Sequence, residues 1–410
     1  MNILMISHYA GAPKYGMEFR AYYMGREWVK MGHKVMIVGA TFSHLRKQQP
    51  PASEETLDGI DYLWLPTTTY DGNGLKRALS MVQFAWGVVR KSKRLLAFHP
   101  DVVVASSVHT YDILPSYRIA RKASKKGKKA KFVYEVHDLW PLSPQELGGY
   151  SKWHPFIWSQ QFCENFAYRH CDAVVSLLPN AFDHMHSHGL APEKYHYVPN
   201  GIELSEWEEP KALPQEHQAL LDGLKSDGRF LIGFAGNHGV ANALYAAIDA
   251  IGPLASEGID FVLVGNGPEK ERLQTHARDK GYGNIHFLPA ISKASIPTFL
   301  SHMDGLYIGL QRQPLFRFGV SPNKLFDYMM AGKPIIQAIA AGNNPVEEAH
   351  CGFAVEPDNT ESIRQTVLKL KNTPLDERVA MGHNGYLFVR KNHSNDILSQ
   401  LFIDAITDNQ

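Results

Sequence analysis

The sequence is short of cysteine, with only Cys163, Cys171 and Cys351 in 410 residues. An odd count without a CxxC spacing argues against a structural zinc and for a reducing compartment. Net charge is nearly absent too: 42 Lys and Arg stand against 41 Asp and Glu. That balance gives the whole molecule no polyanion-binding signature, so no nucleic-acid partner is expected. No window approaches roughly 20 uninterrupted apolar residues, and no spanning helix is expected. The chain opens on Ile3-Leu4-Met5-Ile6 with no basic and apolar leader before it, so a cytoplasmic protein is expected. GxGxxG is missing as well, which disfavours a dinucleotide-binding site.

What is present is a globular composition, 44% hydrophobic, in a chain long enough for two domains of about 200 residues each. Two stretches share one grammar of strand, glycine-bearing turn and amphipathic helix. The first runs through a strand at 2–7, a loop at 8–15 and a helix from about Gly16. Met17, Ala21, Met24, Trp28 and Met31 recur there at spacings of four and three. Gly32-His33 closes that helix, and the strand at 34–38 completes a βαβ unit. The second stretch has a strand at 230–235, the turn Gly236-Asn237-His238-Gly239, and a helix carrying Leu244, Ala247 and Ile251. A strand at 261–264 and the turn Gly265-Asn266-Gly267-Pro268 follow. Short Val/Ile/Leu-rich runs at 101–105, 131–136, 173–177, 285–288, 305–308 and 334–337 complete the pattern. It predicts an α/β protein with two doubly wound parallel sheets, changing over near Val198-Pro199-Asn200-Gly201-Ile202.

Ligands of such sheets bind beyond the carboxyl ends of the strands, so those residues are the candidates. Gly16 and Arg20 follow the first strand, where glycine lets backbone approach a ligand; a plain βα turn is the alternative. His137 and Asp138 follow the strand at 131–136, and their position favours a sugar contact over a structural histidine. His109 follows the strand at 101–105 and is a weaker candidate for the acceptor side. The turns holding Gly236, Asn237, Gly265 and Gly267 could admit a phosphate or base, or be turn chemistry alone. The most specific segment is Phe318-Gly319-Val320-Ser321-Pro322-Asn323-Lys324-Leu325-Phe326-Asp327-Tyr328-Met329. Ser321 and Pro322 read as the N-cap and first position of a helix. Asn323 and Lys324 then fall in its first turn, where free N–H groups and a full positive charge suit a diphosphate. Asp327, three residues after Lys324, can accept hydrogen bonds from a ribose diol. A solvated surface turn is the competing explanation.

Taken in order, these pieces resemble the family 4 glycosyltransferases, especially bacterial members that build O-antigen and capsule polysaccharide. Gly16 and Arg20, Gly32-His33-Lys34-Val35, Asp138-Leu139-Trp140-Pro141, Val198–Ile202, Gly265–Pro268 and Ser321–Met329 all look like its markers. The resemblance implies a GT-B fold with domains at 1–200 and 201–387 facing across a cleft, and a last helix, about 388–410, crossing back. It also implies retaining transfer of a hexose, N-acetylated or deoxy, with no cofactor and no metal. The UDP-sugar is the co-substrate and a glycan or lipid-linked molecule the acceptor. Asp327 stands where the family has the second Glu of its E-x7-E motif, and Gly319 where it has the first, which is missing. The family's Arg and Lys are also absent from 236–243, so phosphate neutralisation falls to Lys324 and helix N-termini. His137 resembles the family's cleft histidine, which contacts the donor sugar, and no protein nucleophile is required.

Arg118, Arg121, Lys122, Lys125, Lys126, Lys128, Lys129 and Lys131 crowd one stretch with no acid among them. Residues 76–94 mix further bases with Met81, Phe84, Trp86 and Val88. An anionic membrane surface at 118–131 is the expected partner, with a solvated helix end nearly as good a reading. A UDP-sugar epimerase of the same fold and a non-catalytic nucleotide-sugar-binding partner are the alternative functions.

Overall fold

The computed structural model describes residues 1–16, 20–124 and 128–407. Met17 of the expected stripe, Lys125 and Lys126 of the basic run, and the last three residues lie outside the described residues. The chain forms two compact units, Met1–Asn200 with the segment from Asn395 onward, and Gly201–Ser394.

The first unit holds an eight-stranded sheet. Its strands are β1 (Asn2–Ile6), β2 (Lys34–Ala40), β3 (Glu54–Leu57), β4 (Ile60–Leu65), β5 (Val102–Ala105), β6 (Lys131–Val136), β7 (Ala173–Ser176) and β8 (Tyr195–Tyr197). They are arranged β3-β4-β2-β1-β5-β6-β7-β8, and every pairing is parallel except that of β3 with β4. The apolar stripe of the helix Arg20–Lys30 buries Ala21, Met24 and Trp28. Trp28 also donates its indole N–H to the Ser399 carbonyl at 3.2 Å and packs on Phe402. That contact fixes the helix Asn395–Thr407 on this unit, although it lies far along the chain. The return begins at Asn395, since the helix Leu375–Asn392 belongs to the second unit.

The sequence pattern missed the β3–β4 hairpin. Its turn is Asp58-Gly59, both at positive φ (50° and 79°), a typical two-residue hairpin signal. β3 itself, Glu-Glu-Thr-Leu, is too polar to read as a buried strand.

The second unit holds β9 (Phe230–Ala235), β10 (Ile259–Val264), β11 (Ile285–Leu288), β12 (Gly305–Gly309), β13 (Ile335–Ala338) and β14 (Gly352–Ala354). Their order is β11-β10-β9-β12-β13-β14, all parallel. β9 and β10 are buried along their whole length, because helices cover both faces and each face builds its own core. Both sheets reverse direction of winding at their centre, and the functional candidates sit on the loops at the carboxyl ends.

Candidate donor site and its relatives

In the second unit the ends of β9 and β10 carry two glycine turns that lock together. Gly236 N–H donates to the Val264 carbonyl and His238 N–H to that of Asn266, both at 2.9 Å. A Cβ on Gly265 would lie 1.9 Å from the Gly236 oxygen, and one on Gly267 2.5 Å from the His238 oxygen. Packing of one turn on the other therefore already explains these two glycines. Gly236 is different. There a Cβ would meet Lys324 Cε at 2.8 Å, so glycine makes room for a lysine side chain.

That lysine comes from the helix Asn323–Met330. Pro322 is the N-cap, not the first helical residue, and no side chain caps the helix. Ser321 thus lies one position outside the cap, half-buried, while Asn323 is exposed at the first helical position. The helix is pinned to β9 by Tyr328, whose hydroxyl accepts the Ala235 N–H at 2.8 Å. Phe326 stacks on His393 on its other side, with ring centroids 4.3 Å apart. So held, Lys324 places its ammonium over the Phe234 ring at 4.0 Å and donates to Asn242 Oδ1 at 2.9 Å. No carboxylate forms an ion pair with it among the described residues. Burial pushes this lysine down to about 7, with no neighbouring anion to oppose it.

The surroundings share that electrostatic sense. His238 is fully buried beneath the turn, with neither ring nitrogen hydrogen-bonded. Burial first, then the charges of Lys270 and Lys324, pushes it down to about 4, which keeps the imidazole neutral. Lys270 caps the sheet by donating to the carbonyls of Gly265 and Leu288 at 2.7 and 2.8 Å. Asn237 is exposed at the turn. Sequence reasoning did not single out Lys270 or Asn242; their roles depend on which strand ends meet, which no local pattern records.

Asp327 lies one turn after Lys324 but faces other neighbours. Burial pushes its carboxyl up to about 7, opposed by the charge of Lys293 and reinforced by that of Glu206. Lys293 and Glu206 pair with each other at 2.7 Å. Gly319, where the resemblance would place a glutamate, is buried at φ 99°, a region that favours glycine. The next residue is clamped by Asn343, which accepts the Val320 N–H at 2.8 Å and donates to its carbonyl at 3.0 Å. The backbone here is built for a glycine, and a glutamate at 319 would strain it.

The first unit treats its strand ends differently. Glu135 on β6 is fully buried and accepts from Arg20 Nε at 2.7 Å and Ser106 Oγ at 2.6 Å. Burial would raise its pKa, but the charges of Arg20 and His137 and the bonds from His137 and Ser106 hold it well below the usual carboxylate range. Arg20 also donates to the Pro199 carbonyl and, at 2.9 Å, to that of Val198. Its side chain is only 6% exposed, so it ties the end of the unit together instead of presenting a charge. Gly16, at φ 73°, closes the short turn Pro13–Tyr15. His109 is buried against His8 and Tyr111 and is pushed down to about 3, by burial and then Arg77. The two residues expected on the acceptor side with side chains, Arg20 and His109, are therefore turned inward.

His137 and Asp138 remain accessible. His137 Nε2 lies 3.1 Å from Ser106 Oγ and 3.3 Å from Glu135, while its ring is partly exposed. Asp138 is exposed at the surface; desolvation by the surrounding protein pushes its carboxyl up and the charge of His137 opposes this, a shift that exposure weakens. Among the described residues, one group combines metal-ligand types at short range: Glu164, His184 and His188, whose ligand atoms lie within 4.8 Å of one another. It belongs to the first unit, whereas the Lys324 cradle belongs to the second.

Two doubly wound α/β units on largely parallel sheets are the architecture of the GT-B fold. Residues 15–206 match the model of Glycosyltransferase Family 4, and residues 229–373 that of Glycosyl transferases group 1. Together the two matches make the chain a glycosyltransferase whose residues 15–206 are of family 4. WcaI of Escherichia coli (strain K12), named for glycosyl transfer in colanic acid biosynthesis, is 25% identical over 319 residues, 75% of this chain and 76% of that protein. Sucrose-phosphate synthase from Thermosynechococcus elongatus has the same fold at TM-score 0.72 and 14% identity, over 100% of this chain and 98% of that one. Anabaena HepE, solved in complex with UDP-glucose, shares it at TM-score 0.65 and 14% identity, over the whole of both chains.

Proposed function

We propose that this glycosyltransferase moves a hexose, N-acetylated or deoxy, from a UDP-sugar to a glycan or lipid-linked acceptor during cell-surface polysaccharide synthesis, with retention and without a metal. The single observation that supports a nucleotide-diphosphate donor is Lys324, an ammonium held at the start of an uncapped helix without a paired anion. Breaking the anomeric bond builds negative charge on the departing diphosphate. A positioned cation and first-turn N–H groups from Asn323 and Lys324 answer that charge where it develops, with no reorganisation at the moment of reaction. Gly236, Gly265 and Gly267 keep the adjoining backbone bare of side chains. Asn237 and Ser321 are assigned to the diphosphate, and Asp327 would hold the ribose. His137 and Asp138 are assigned to the sugar, where Glu135 and Ser106 fix the imidazole's orientation. UDP is favoured by HepE, whose structure contains UDP-glucose, and polysaccharide synthesis by the name of WcaI.

A thermal-shift screen against nucleoside diphosphates and their sugars tests the reading. The expected outcome is a melting temperature raised by UDP and more by one UDP-sugar, since a ligand at 100 times its Kd adds about 2.7 kcal/mol. A screen in which GDP alone stabilises would overturn the choice of nucleotide, and no response to any of them would overturn the donor site.

A further inference from the structure

The helices before and after β7 bring one carboxylate and two histidines of the first unit together. Glu164 comes from Pro155–His170, His184 from Phe182–Ser187, and His188 follows that second helix as its C-cap. One ligand atom from each lies within 4.8 Å of the other two. His184 and His188 are four residues apart, so one helical turn sets their rings together, with centroids 4.4 Å apart. His186 between them is exposed, stacks on Phe182 and takes no part.

Glu164 is 1% exposed, and a carboxylate so buried needs a compensating charge. Tyr168 donates its hydroxyl to Oε1 at 2.9 Å and Gln161 its amide to Oε2 at 2.6 Å, but both groups are neutral. Among the described residues its one ion-pair partner is His184, which is charged only when protonated. The 3.7 Å from His184 Nε2 to Glu164 Oε1 is too long for a hydrogen bond. It is close to the spacing of two ligands on one small cation, since atoms bound about 2.1 Å from a tetrahedral zinc stand about 3.4 Å apart. Each carboxylate oxygen keeps a lone pair beyond the bond it already accepts.

His188 is oriented in the same sense. Its Nδ1 lies 2.8 Å from the His184 carbonyl. A carbonyl only accepts, so the proton sits on Nδ1 and Nε2 keeps its lone pair. An imidazole donating to a carbonyl, beside a carboxylate held by a hydroxyl and an amide, has the outer partners that orient metal ligands.

We propose that Glu164, His184 and His188 bind one Zn2+ ion, which ties the helices before and after β7 to each other. Two imidazoles and a carboxylate suit zinc, and water completes its fourth position. The ion supplies the charge that buried Glu164 otherwise lacks. The site shares no residue with the Lys324 cradle or with His137 and Asp138. The ion is thus a fastening of the first unit, and the inference is independent of the proposed transfer.

The test is calorimetric titration of the full chain, stripped with EDTA, with zinc chloride. The variants are His184→Gln/His188→Gln, Glu164→Gln, and His186→Gln as the control among the chain's 20 histidines. The expected result is one Zn2+ per wild-type chain and a melting temperature that rises with it. Affinity should fall at least about a hundredfold in the double variant and at least about tenfold in Glu164→Gln, with His186→Gln unchanged. Glu164→Gln keeps the shape of the side chain, so it decides the matter should the double variant fail to fold. No binding by the wild type, undiminished binding by Glu164→Gln or the double variant, or an equal loss in His186→Gln would overturn the inference. Any zinc bound would then be adventitious. Zinc binding intact with no thermal response to UDP would count against the donor site alone.

Discussion

The strand ends of the two units hold similar residues and use them in opposite ways. In the first, the charged pair at the centre is satisfied: Glu135 is fully buried, and Arg20 spends its guanidinium on it and on two carbonyls. In the second, the central cation is left with a single amide oxygen and an aromatic face. A saturated pair is a fastening, and a cation lacking its anion is a binding site. The difference lies not in residue type but in whether the low-dielectric surroundings have already supplied the opposite charge.

The largest effect expected from this contrast falls on the first unit. Glu135→Ala leaves Arg20 buried without its partner and should cost about 3–5 kcal/mol of stability in urea unfolding. A loss below about 1 kcal/mol would show that the pair does not fasten the unit. In the second unit, Lys324→Ala should leave stability unharmed while transfer falls by about two to three orders of magnitude, the usual range for removing one donor to a developing anion. The sign on stability follows from linkage. An unfolded lysine keeps its proton to its ordinary value, whereas this one gives it up near 7, so the native state carries a cost that is complete below that pH and fades as pH rises. The smallest effect belongs to Asp327→Ala, which removes an acceptor from the ribose and should weaken UDP binding by about tenfold, or 1.4 kcal/mol, by calorimetry. Unchanged affinity would move the ribose elsewhere.

How much of this was legible in the sequence differs between the same two regions. The strands of the second unit are uninterrupted apolar runs with glycine turns behind them, and the segment from Ser321 to Met329 could be read almost as it folds, off by one position at the cap. In the first unit, period and composition located the strand ends but not the direction of the side chains on them. Arg20 and Glu135 are 115 residues apart and meet only because β6 lies two places from β1. His109 looked like a loop residue and is core. Glu135 sat unnoticed inside Lys-Phe-Val-Tyr-Glu-Val, where a charged residue in a buried strand was itself the signal that a partner must exist. The group of Glu164, His184 and His188 was hidden in the same manner, since its carboxylate precedes β7 in the chain, its histidines follow it, and they meet only once both helices are packed. Asn343 and Asn242 offered no signal, because each acts on backbone or side chains far away in sequence.

The account turns on a buried lysine amine that a diphosphate would recharge, and calorimetric titration of UDP at pH 8 in two buffers of different ionisation enthalpy tests it directly. At that pH a lysine held near 7 is mostly neutral, and an anion placed against it restores the proton, so binding should take up close to one proton. Lys324→Gln should abolish the uptake and weaken binding. Binding of UDP with no proton uptake at pH 8, or the same uptake in the Lys324→Gln variant, would contradict the central claim.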